Sequence, residues 1–255
     1  MKKQLMIVIG IAIIVVVWSI SAQAKTLFHD DFNASNLDTI WLLDHNQQQA
    51  GGGGAPEWVH ANGILSQINP QPGDPTYAVI QGENWPNEYG IMAKVRLDDW
   101  QDHDRSRAGV GVWIDENDSY NGYTWLIHER LTTLNMEFLN DHRAWFQQEE
   151  TFPVEVGKWY WVKMFIDNKK VYGKIWEDGK EEPKNWLSSK DYGNFGGIRK
   201  PTSLAGLNGG AGTGGGHSTA SFDDVFVFDA DGPDPLPVEP KDKLAITWGE
   251  LKSER

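Results

Sequence analysis

Three acidic residues in the middle of the chain have the side chains that cleavage of a glycosidic bond requires. Glu137 and Asp141 lie in the segment NMEFLND, so on a strand both point to one face, with Leu139 between them. That spacing is too long for a retaining pair, which needs carboxyl groups about 5–5.5 Å apart, and suits an inverting pair at best. Glu129 follows His128, and alternation puts these two side chains on opposite faces. If the protein is an enzyme, we expect Glu137 to act with Glu129 or Asp141.

The chain is also rich in tryptophan, with 13 residues in all. The flat C–H faces of sugar rings pack on aromatic planes, so exposed Trp and Tyr beside polar groups suit saccharides. About half of these residues should instead fill a core, because Trp is highly buried on average. The candidate ligand-binding residues on the central strands and their connections are Trp113, Tyr123, Trp125, Trp145, Asn135 and Arg96.

The elements that must position these residues are short strands. Residues 91–97 and 108–114 alternate apolar and other side chains, and the second run places Val110, Val112 and Ile114 on one side and Trp113 on the other. Further strands are expected at 58–59, 64–66, 123–129, 134–139, 159–167, 171–176 and 222–228. Strands at this spacing, separated by Gly, Asn and Asp turns, predict an all-β sandwich or barrel with little helix. Residues 50–56 and 206–216 are expected to be loops because they are rich in glycine.

The N-terminal residues predict export. Lys2 and Lys3 precede an apolar run at residues 5–20, and Ala22-Gln23-Ala24 offers small residues at a cleavage site. We therefore expect a signal peptide at 1–24 and a domain at 25–229. A linker rich in Pro and Asp is expected at 230–243 and a tail at 244–255. Once the signal is cleaved, no membrane span is expected.

Charge and cysteine content exclude several kinds of protein. The formal net charge is −13, which opposes binding to nucleic acid. There is no cysteine, so no disulfide can hold the fold and a hydrophobic core must do so.

Three blocks resemble a known family: FHDDFNASNLDTIW at 28–41, GKWYWVKMFIDNKKVYGKIWEDGKEEPKNW at 157–186, and SFDDVFV at 221–227. They resemble the concanavalin A-like lectin/glucanase superfamily, including laminin G-like bacterial domains. The resemblance implies a two-sheet antiparallel jelly-roll sandwich whose first and last strands are neighbours. It also implies a structural calcium where those strands meet, held by Asp30 or Asp31 and Asp223 or Asp224, since calcium prefers hard oxygen ligands. The Glu-x-Asp-x-x-Glu motif of the retaining glucanases of this fold is not found in the sequence.

The function expected from the sequence is an exported, noncatalytic carbohydrate-binding or adhesion module. Its partner would be a polysaccharide or other glycan, and its location the periplasm, the cell surface or the medium. One alternative is a glycoside hydrolase or polysaccharide lyase on the same fold. A second alternative is a module that recognises protein.

Overall fold

A computed structural model describes residues 25–33, 37–45, 57–72, 76–81, 85–115, 121–140, 143–191, 204–212 and 215–229. The predicted signal peptide, linker and tail lie outside these ranges, as do Asp141, the predicted loop at 50–56 and the side chain of Trp145. Among the described residues, no helix has the length and hydrophobicity to cross a bilayer.

The described part of the chain is built from β-strands, with one 3₁₀ turn at Leu37–Thr39. The strands are β1 (Thr26–Asp30), β2 (Trp41–His45), β3 (Trp58–Ala61), β4 (Ile64–Gln67), β5 (Tyr77–Ile80), β6 (Tyr89–Trp100), β7 (Ser106–Ile114), β8 (Gly122–His128), β9 (Thr133–Asn140), β10 (Arg143–Thr151), β11 (Trp159–Ile166), β12 (Lys170–Glu177), β13 (Ser188–Asp191), β14 (Leu204–Ala211) and β15 (Ser218–Asp229).

The strands form two antiparallel sheets. The seven-stranded sheet has the order β10-β9-β8-β7-β14-β5-β2. The eight-stranded sheet has the order β13-β12-β11-β6-β15-β4-β3, and β1 also pairs with β15. The all-β, two-sheet antiparallel jelly roll expected from the sequence is confirmed, and the first and last strands are neighbours.

Alternation along each strand sends one set of side chains into the core between the sheets. Tyr123 and Trp125 of β8 belong to this core, at 1% and 0% exposure. The Trp125 ring lies against Gly173 on β12 of the opposite sheet, where a Cβ would come within 2.4 Å of it. Its indole N–H donates to the carbonyl of Lys174 at 3.2 Å. Trp125 therefore fills the space between the layers.

The expectation of a loop at 206–216 is wrong over the first part of that range, where β14 runs as a central strand. Its glycines have a packing reason. A Cβ on Gly206 would lie 2.6 Å from the carbonyl oxygen of Ala78 on the neighbouring strand. The lack of a side chain therefore lets β5 and β14 approach each other, and glycine content here marks a crowded strand.

The side expected for Trp113 is also wrong, because β7 contains a bulge. Trp113 has φ of +52°, and the pairing of β14 with β7 shifts register between Leu204 and Gly206. The extra residue turns Trp113 into the core and Ile114 to the outer face. The bulge is held from the opposite sheet: the Trp113 N–H donates to the Tyr89 hydroxyl at 2.7 Å, and that hydroxyl donates to the Leu204 carbonyl at 3.1 Å.

The outer face of the eight-stranded sheet carries two buried lysines under an exposed segment. Lys163 and Lys174 both donate to Glu182, at 2.8 and 2.6 Å. The Trp186 ring lies over Lys174, with the ammonium 4.7 Å from the ring centroid. Burial by itself raises the pKa of Glu182, but the hydrogen bonds from the two lysines outweigh it, so the pKa is lowered.

Replacing Glu182 with Gln should destabilise the fold, because it leaves two buried ammonium groups without a counter-charge. Since Glu182 is partly exposed, we expect a loss of about 1–3 kcal/mol in urea unfolding at neutral pH. The pKa of Glu182 is lower in the folded state, so its contribution exists above its unfolded pKa and disappears as pH falls through the folded value. The difference between wild type and Glu182→Gln should therefore shrink in acid. Glu181→Gln, at an exposed neighbour, serves as the control, and an equal effect of both variants would contradict this account.

Candidate functional site

The outer face of the seven-stranded sheet would be expected to contact water. It carries polar side chains, yet these side chains are buried. They come from five strands, since alternation points them away from the core. We call this set the polar face; its members are Tyr77, Arg107, Thr124, His128, Asn135, Glu137 and Asn208.

Strand register places most of these side chains in two adjacent rows that cross the strands. One row consists of Tyr77, Asn208, Gly109, Leu126 and Asn135. The next row consists of Val79, Gly206, Gly111, Thr124 and Glu137. The centre of both rows is therefore glycine; polar side chains lie on both sides of it in the first row and on the β8 and β9 side in the second.

The glycine centre lets Tyr77 lie across the sheet. A Cβ on Gly111 would lie 3.4 Å from the Tyr77 ring, although the two residues belong to strands separated by β14. Burial raises the pKa of the Tyr77 hydroxyl, and the negative charge of Glu137 raises it further. Tyr77 therefore extends from β5 toward Glu137 on β9.

Four buried side-chain oxygen atoms of the polar face have no hydrogen-bond partner in the part of the chain that the structure describes. They are the Tyr77 hydroxyl, Thr124 Oγ1, Asn135 Oδ1 and Asn208 Oδ1. Each of these residues is at most 1% exposed. A buried polar atom without a partner costs about 1–3 kcal/mol, so such atoms are rare unless something else binds them. Four on one face indicate a place that a polar ligand can satisfy.

One end of the polar face gathers two carboxylates around a histidine. His128 Nδ1 lies 3.8 Å from Glu129 Oε1 and 3.9 Å from Glu137 Oε1. The Asn135 amide is 2.8 Å from the same nitrogen. With the ring proton on Nε2, Asn135 Nδ2 donates to Nδ1 and fixes the ring. The two carboxylate oxygens therefore lie within about 8 Å of each other, a limit that includes the spacing of about 5–5.5 Å of retaining pairs and the shorter part of the range of about 6.5–9.5 Å of inverting pairs.

The expectation that His128 and Glu129 lie on opposite faces is wrong. Glu129 has φ of +64°, so the chain leaves the extended conformation at the residue after β8. Strict alternation no longer applies there, and the Glu129 side chain turns back toward His128. Backbone in this sparsely populated region often occurs at functional sites.

The charges at this end of the face act on His128 in opposite directions. Burial is the largest influence and lowers its pKa, while the Glu137 carboxylate raises it. Arg107, on the neighbouring strand, lowers it, and Glu129 and Asp104 raise it more weakly. The net effect is a lowered pKa, which keeps the imidazole neutral near pH 7.

The structure separates the ligand-binding residues expected from the sequence. Asn135 lies on the polar face, as does the candidate catalytic residue Glu137. Trp113, Tyr123 and Trp125 lie in the core, which corrects their expected placement as aromatic planes for a ligand. Tyr123 and Trp125 alternate with the outward-facing Thr124 on β8, whereas the bulge in β7 turns Trp113 inward.

Arg96 is also displaced from the expected site, because β6 belongs to the eight-stranded sheet. Its guanidinium stacks over Trp159, 4.7 Å from the ring centroid, and its Nε donates to Asp98 at 2.6 Å. Arg96 is thus on the opposite outer face from Glu137.

Tyr77, Arg107, Thr124 and Asn208 are not among the residues expected from the sequence. A usable signal for two of them is the strand alternation itself. If Tyr123 and Trp125 are placed inside, Thr124 must point outward. If Val110 is placed inside, Arg107 must likewise point outward. Tyr77 and Asn208, by contrast, lie on strands that the sequence does not indicate.

The four aspartates expected to hold calcium lie near the pairing of β1 with β15, and two of them have other partners. Both oxygens of Asp30 accept N–H groups, from Phe32 and from the Trp41 indole, each at 2.8 Å. Asp224 accepts from Lys94 at 2.7 Å and lies 3.4 Å from His29. These contacts hold the strand ends together and leave little room for a cation at those two side chains.

Asp31 and Asp223 are the other two candidates. Asp31 accepts the Asn33 N–H, and Asp223 accepts the Asp224 N–H. Burial raises the pKa of Asp223, and the charges of Asp224 and Asp31 raise it further. Within the described ranges, no group of three or more His, Cys, Asp or Glu side chains could hold a metal ion.

With this geometry in view, solved structures provide a comparison. The carbohydrate-binding module CBM66 from Bacillus subtilis has a TM-score of 0.52 at 12% identity, over 74% of this chain and 95% of that chain. The laminarinase from Flavobacterium sp. UMI-01 has a TM-score of 0.55 at 12% identity, over 80% and 100%. The present chain therefore has the concanavalin A-like jelly-roll fold. The catalytic domain of an endo-1,3-beta-glucanase (laminarinase) from Thermotoga petrophila RKU-1 shares the concanavalin A-like fold, with a TM-score of 0.52 at 9% identity, over 82% and 99%.

No family model matches the sequence, and neither does any curated protein. At these identities the likeness concerns the concanavalin A-like fold alone, since one fold carries many functions.

The proximity of Glu137 to His128 can be tested by titration. Because the Glu137 carboxylate stabilises the imidazolium, Glu137→Gln should lower the pKa of His128 further. The imidazole resonances in NMR spectra recorded across pH would show this shift. Glu155→Gln, on an exposed and distant side chain, should leave that pKa unchanged. A rise in the pKa of His128 in Glu137→Gln would refute the arrangement.

Proposed function

We propose that this exported domain binds a carbohydrate chain on the polar face of its seven-stranded sheet. The observation that carries the proposal is the set of four buried polar atoms without partners at Tyr77, Thr124, Asn135 and Asn208. Sugar hydroxyls both donate and accept, so they can satisfy atoms of this kind. Similar structures include a carbohydrate-binding module and a laminarinase, which supports the same class of ligand.

The arrangement of the face supports an extended ligand. The two rows cross five strands, and strands lie about 4.8 Å apart. The glycines at their centre add no side chains of their own, and the Tyr77 ring and the Ile114 side chain lie over Gly111. A sugar that reaches these rows would meet the Tyr77 ring as an aromatic plane.

Removing either hydroxyl should separate stability from binding. Thr124→Val and Tyr77→Phe remove hydroxyls that have no protein partner and are fully buried. Each free variant should therefore be as stable as the wild type or more so, with an unchanged or higher Tm. If the hydroxyls bind sugar, affinity electrophoresis against the retained polysaccharide should show binding weakened about 5–10-fold.

Tyr172→Phe is the matched control, because Tyr172 lies on the eight-stranded sheet and its hydroxyl donates to Asp167. It should lose stability and keep full retention of the glycan. Unchanged binding in both Thr124→Val and Tyr77→Phe would count against the polar face.

A second candidate function is hydrolysis of the bound glycan. The observation in its favour is the grouping of Glu129 and Glu137 around His128, at 3.8 and 3.9 Å. In an inverting mechanism one carboxyl group protonates the leaving oxygen and the other activates water. The two oxygens lie within about 8 Å of each other, which allows that division of roles and also the closer spacing of a retaining pair.

Hydrolysis predicts new reducing ends when the protein is incubated with a polysaccharide that it retains. Glu137→Gln and Glu129→Gln should each lower this activity at least about 100-fold, while binding persists. Glu155→Gln should be fully active. Release of unsaturated products in place of reducing ends would indicate a lyase, and the absence of any product would leave binding alone.

We also propose that calcium binds where β1 and β15 meet, with Asp31 and Asp223 as the carboxylate ligands. Burial raises the pKa of Asp223 and the charges of Asp224 and Asp31 raise it further, and a cation would relieve that crowding of negative charge. Calcium should raise Tm by about 5 °C or more near saturation, and EDTA should reverse this. Asp223→Asn should remove the response, whereas Asp30→Asn should retain it, because Asp30 already accepts two N–H groups. An equal response in Asp223→Asn would exclude Asp223 as a ligand.

The likeness to laminin G-like domains and the location outside the cytoplasm rest on the sequence and stay predictions. Cleavage before Lys25 would place the domain in the periplasm, on the cell surface or in the medium. Mass spectrometry of the exported protein would detect that N-terminus.

A further inference from the structure

We infer that the polar face selects uncharged, hydroxyl-rich glycans and rejects glycans that carry carboxylate or sulfate groups. This inference rests on the proposed carbohydrate binding and adds the chemical class of the ligand. It follows from two features of the face: the unpartnered amide atoms are acceptors, and the charge around them is negative.

The orientation of Asn208 makes it an acceptor. Its Nδ2 donates to the carbonyl of Thr76 at 2.9 Å, which leaves Oδ1 directed to the face. Rotating the amide by half a turn would set two oxygens against each other, so this orientation is fixed by chemistry. Asn208 therefore requires a donor from the ligand.

Asn135 offers a second acceptor at the other side of the glycine centre. Its Nδ2 is engaged with His128, and its Oδ1 has no partner among the described residues. The Tyr77 and Thr124 hydroxyls can donate or accept. A ligand that pairs with both amide oxygens must bring N–H or O–H groups. Carboxylates and sulfates bring acceptors only.

The charges at the His128 end point the same way. Three carboxylates raise the pKa of His128, those of Glu137, Glu129 and Asp104, and Arg107 is the cation that opposes them. His128 itself is held neutral by burial. Like charges brought together on binding cost several kcal/mol, so a negative ligand is repelled here. The net charge of −13 adds to this repulsion.

The test compares neutral and anionic polysaccharides on the folded domain in affinity gels. Laminarin, mixed-linkage β-glucan, xylan and mannan form the neutral panel; alginate, polygalacturonate and carrageenan form the anionic panel. We expect retention by at least one neutral polymer and by none of the anionic ones. Binding of an uncharged ligand should also be insensitive to salt, because there is no ion pair to screen.

Three variants tie the selectivity to this face. Thr124→Val and Tyr77→Phe should weaken binding of the neutral polymer about 5–10-fold. Glu129→Gln removes one of the negative charges and should raise the ratio of anionic to neutral retention several-fold, whereas Glu155→Gln should leave that ratio unchanged.

The outcomes separate this inference from the proposed function. Retention of an anionic polymer that weakens with salt and is reduced by Thr124→Val would overturn the inference and leave the carbohydrate site in place. Retention of a neutral polymer that none of the variants alters would overturn both, since the site would lie elsewhere. Retention of neither panel would also overturn both.

Discussion

The absence of side chains at the centre of the seven-stranded sheet is the constraint on which the polar face depends. Gly109, Gly111 and Gly206 lie on the outer side of two neighbouring strands. Any larger residue at Gly206 would collide with the backbone of β5. Because these positions carry no side chains, Tyr77 can cross the sheet toward the buried polar groups of β8 and β9. The same strands send Val110, Leu207 and Trp125 into the core, so one alternation builds the hydrophobic interior and the face together.

The polar face lowers the stability of the folded protein. Unpartnered hydroxyl and amide groups that are fully buried cost free energy in the free protein, and apolar side chains of the same shape would cost less. Selection for stability alone would remove them, whereas a ligand that pairs with them would explain their presence. By contrast, the buried charges on the opposite sheet are paired: Lys163 and Lys174 share Glu182. On one outer face of the sandwich the buried charges are therefore paired, whereas on the other face four buried oxygen atoms have no partner among the described residues.

Much of the fold could be predicted from the sequence, because the strands of a sandwich with one buried face alternate visibly. β6, β7, β8 and the pairing of β11 with β12 follow that pattern, and the turn at Asn62 and Gly63 has positive φ at both residues. The site was harder to predict because alternation fails where it matters. Trp113 and Glu129 both have positive φ, and in each case the side chain appears on the side opposite to the expected one. A bulge depends on pairing with a distant strand, so a local pattern does not contain it. The strand β14 illustrates the same limit, since its glycines fit a crowded sheet and also fit a loop.

The Tyr89 hydroxyl links the two layers at the bulge in β7. It starts in the eight-stranded sheet and bonds both the Trp113 N–H and the Leu204 carbonyl in the other sheet. Leu204, and Ile114 next to Trp113, pack with Tyr77 and Val79 on the outer side of that sheet. One hydroxyl in the core thus helps to set the contour of the outer surface, so a change at position 89 would alter the polar face without replacing any of its residues.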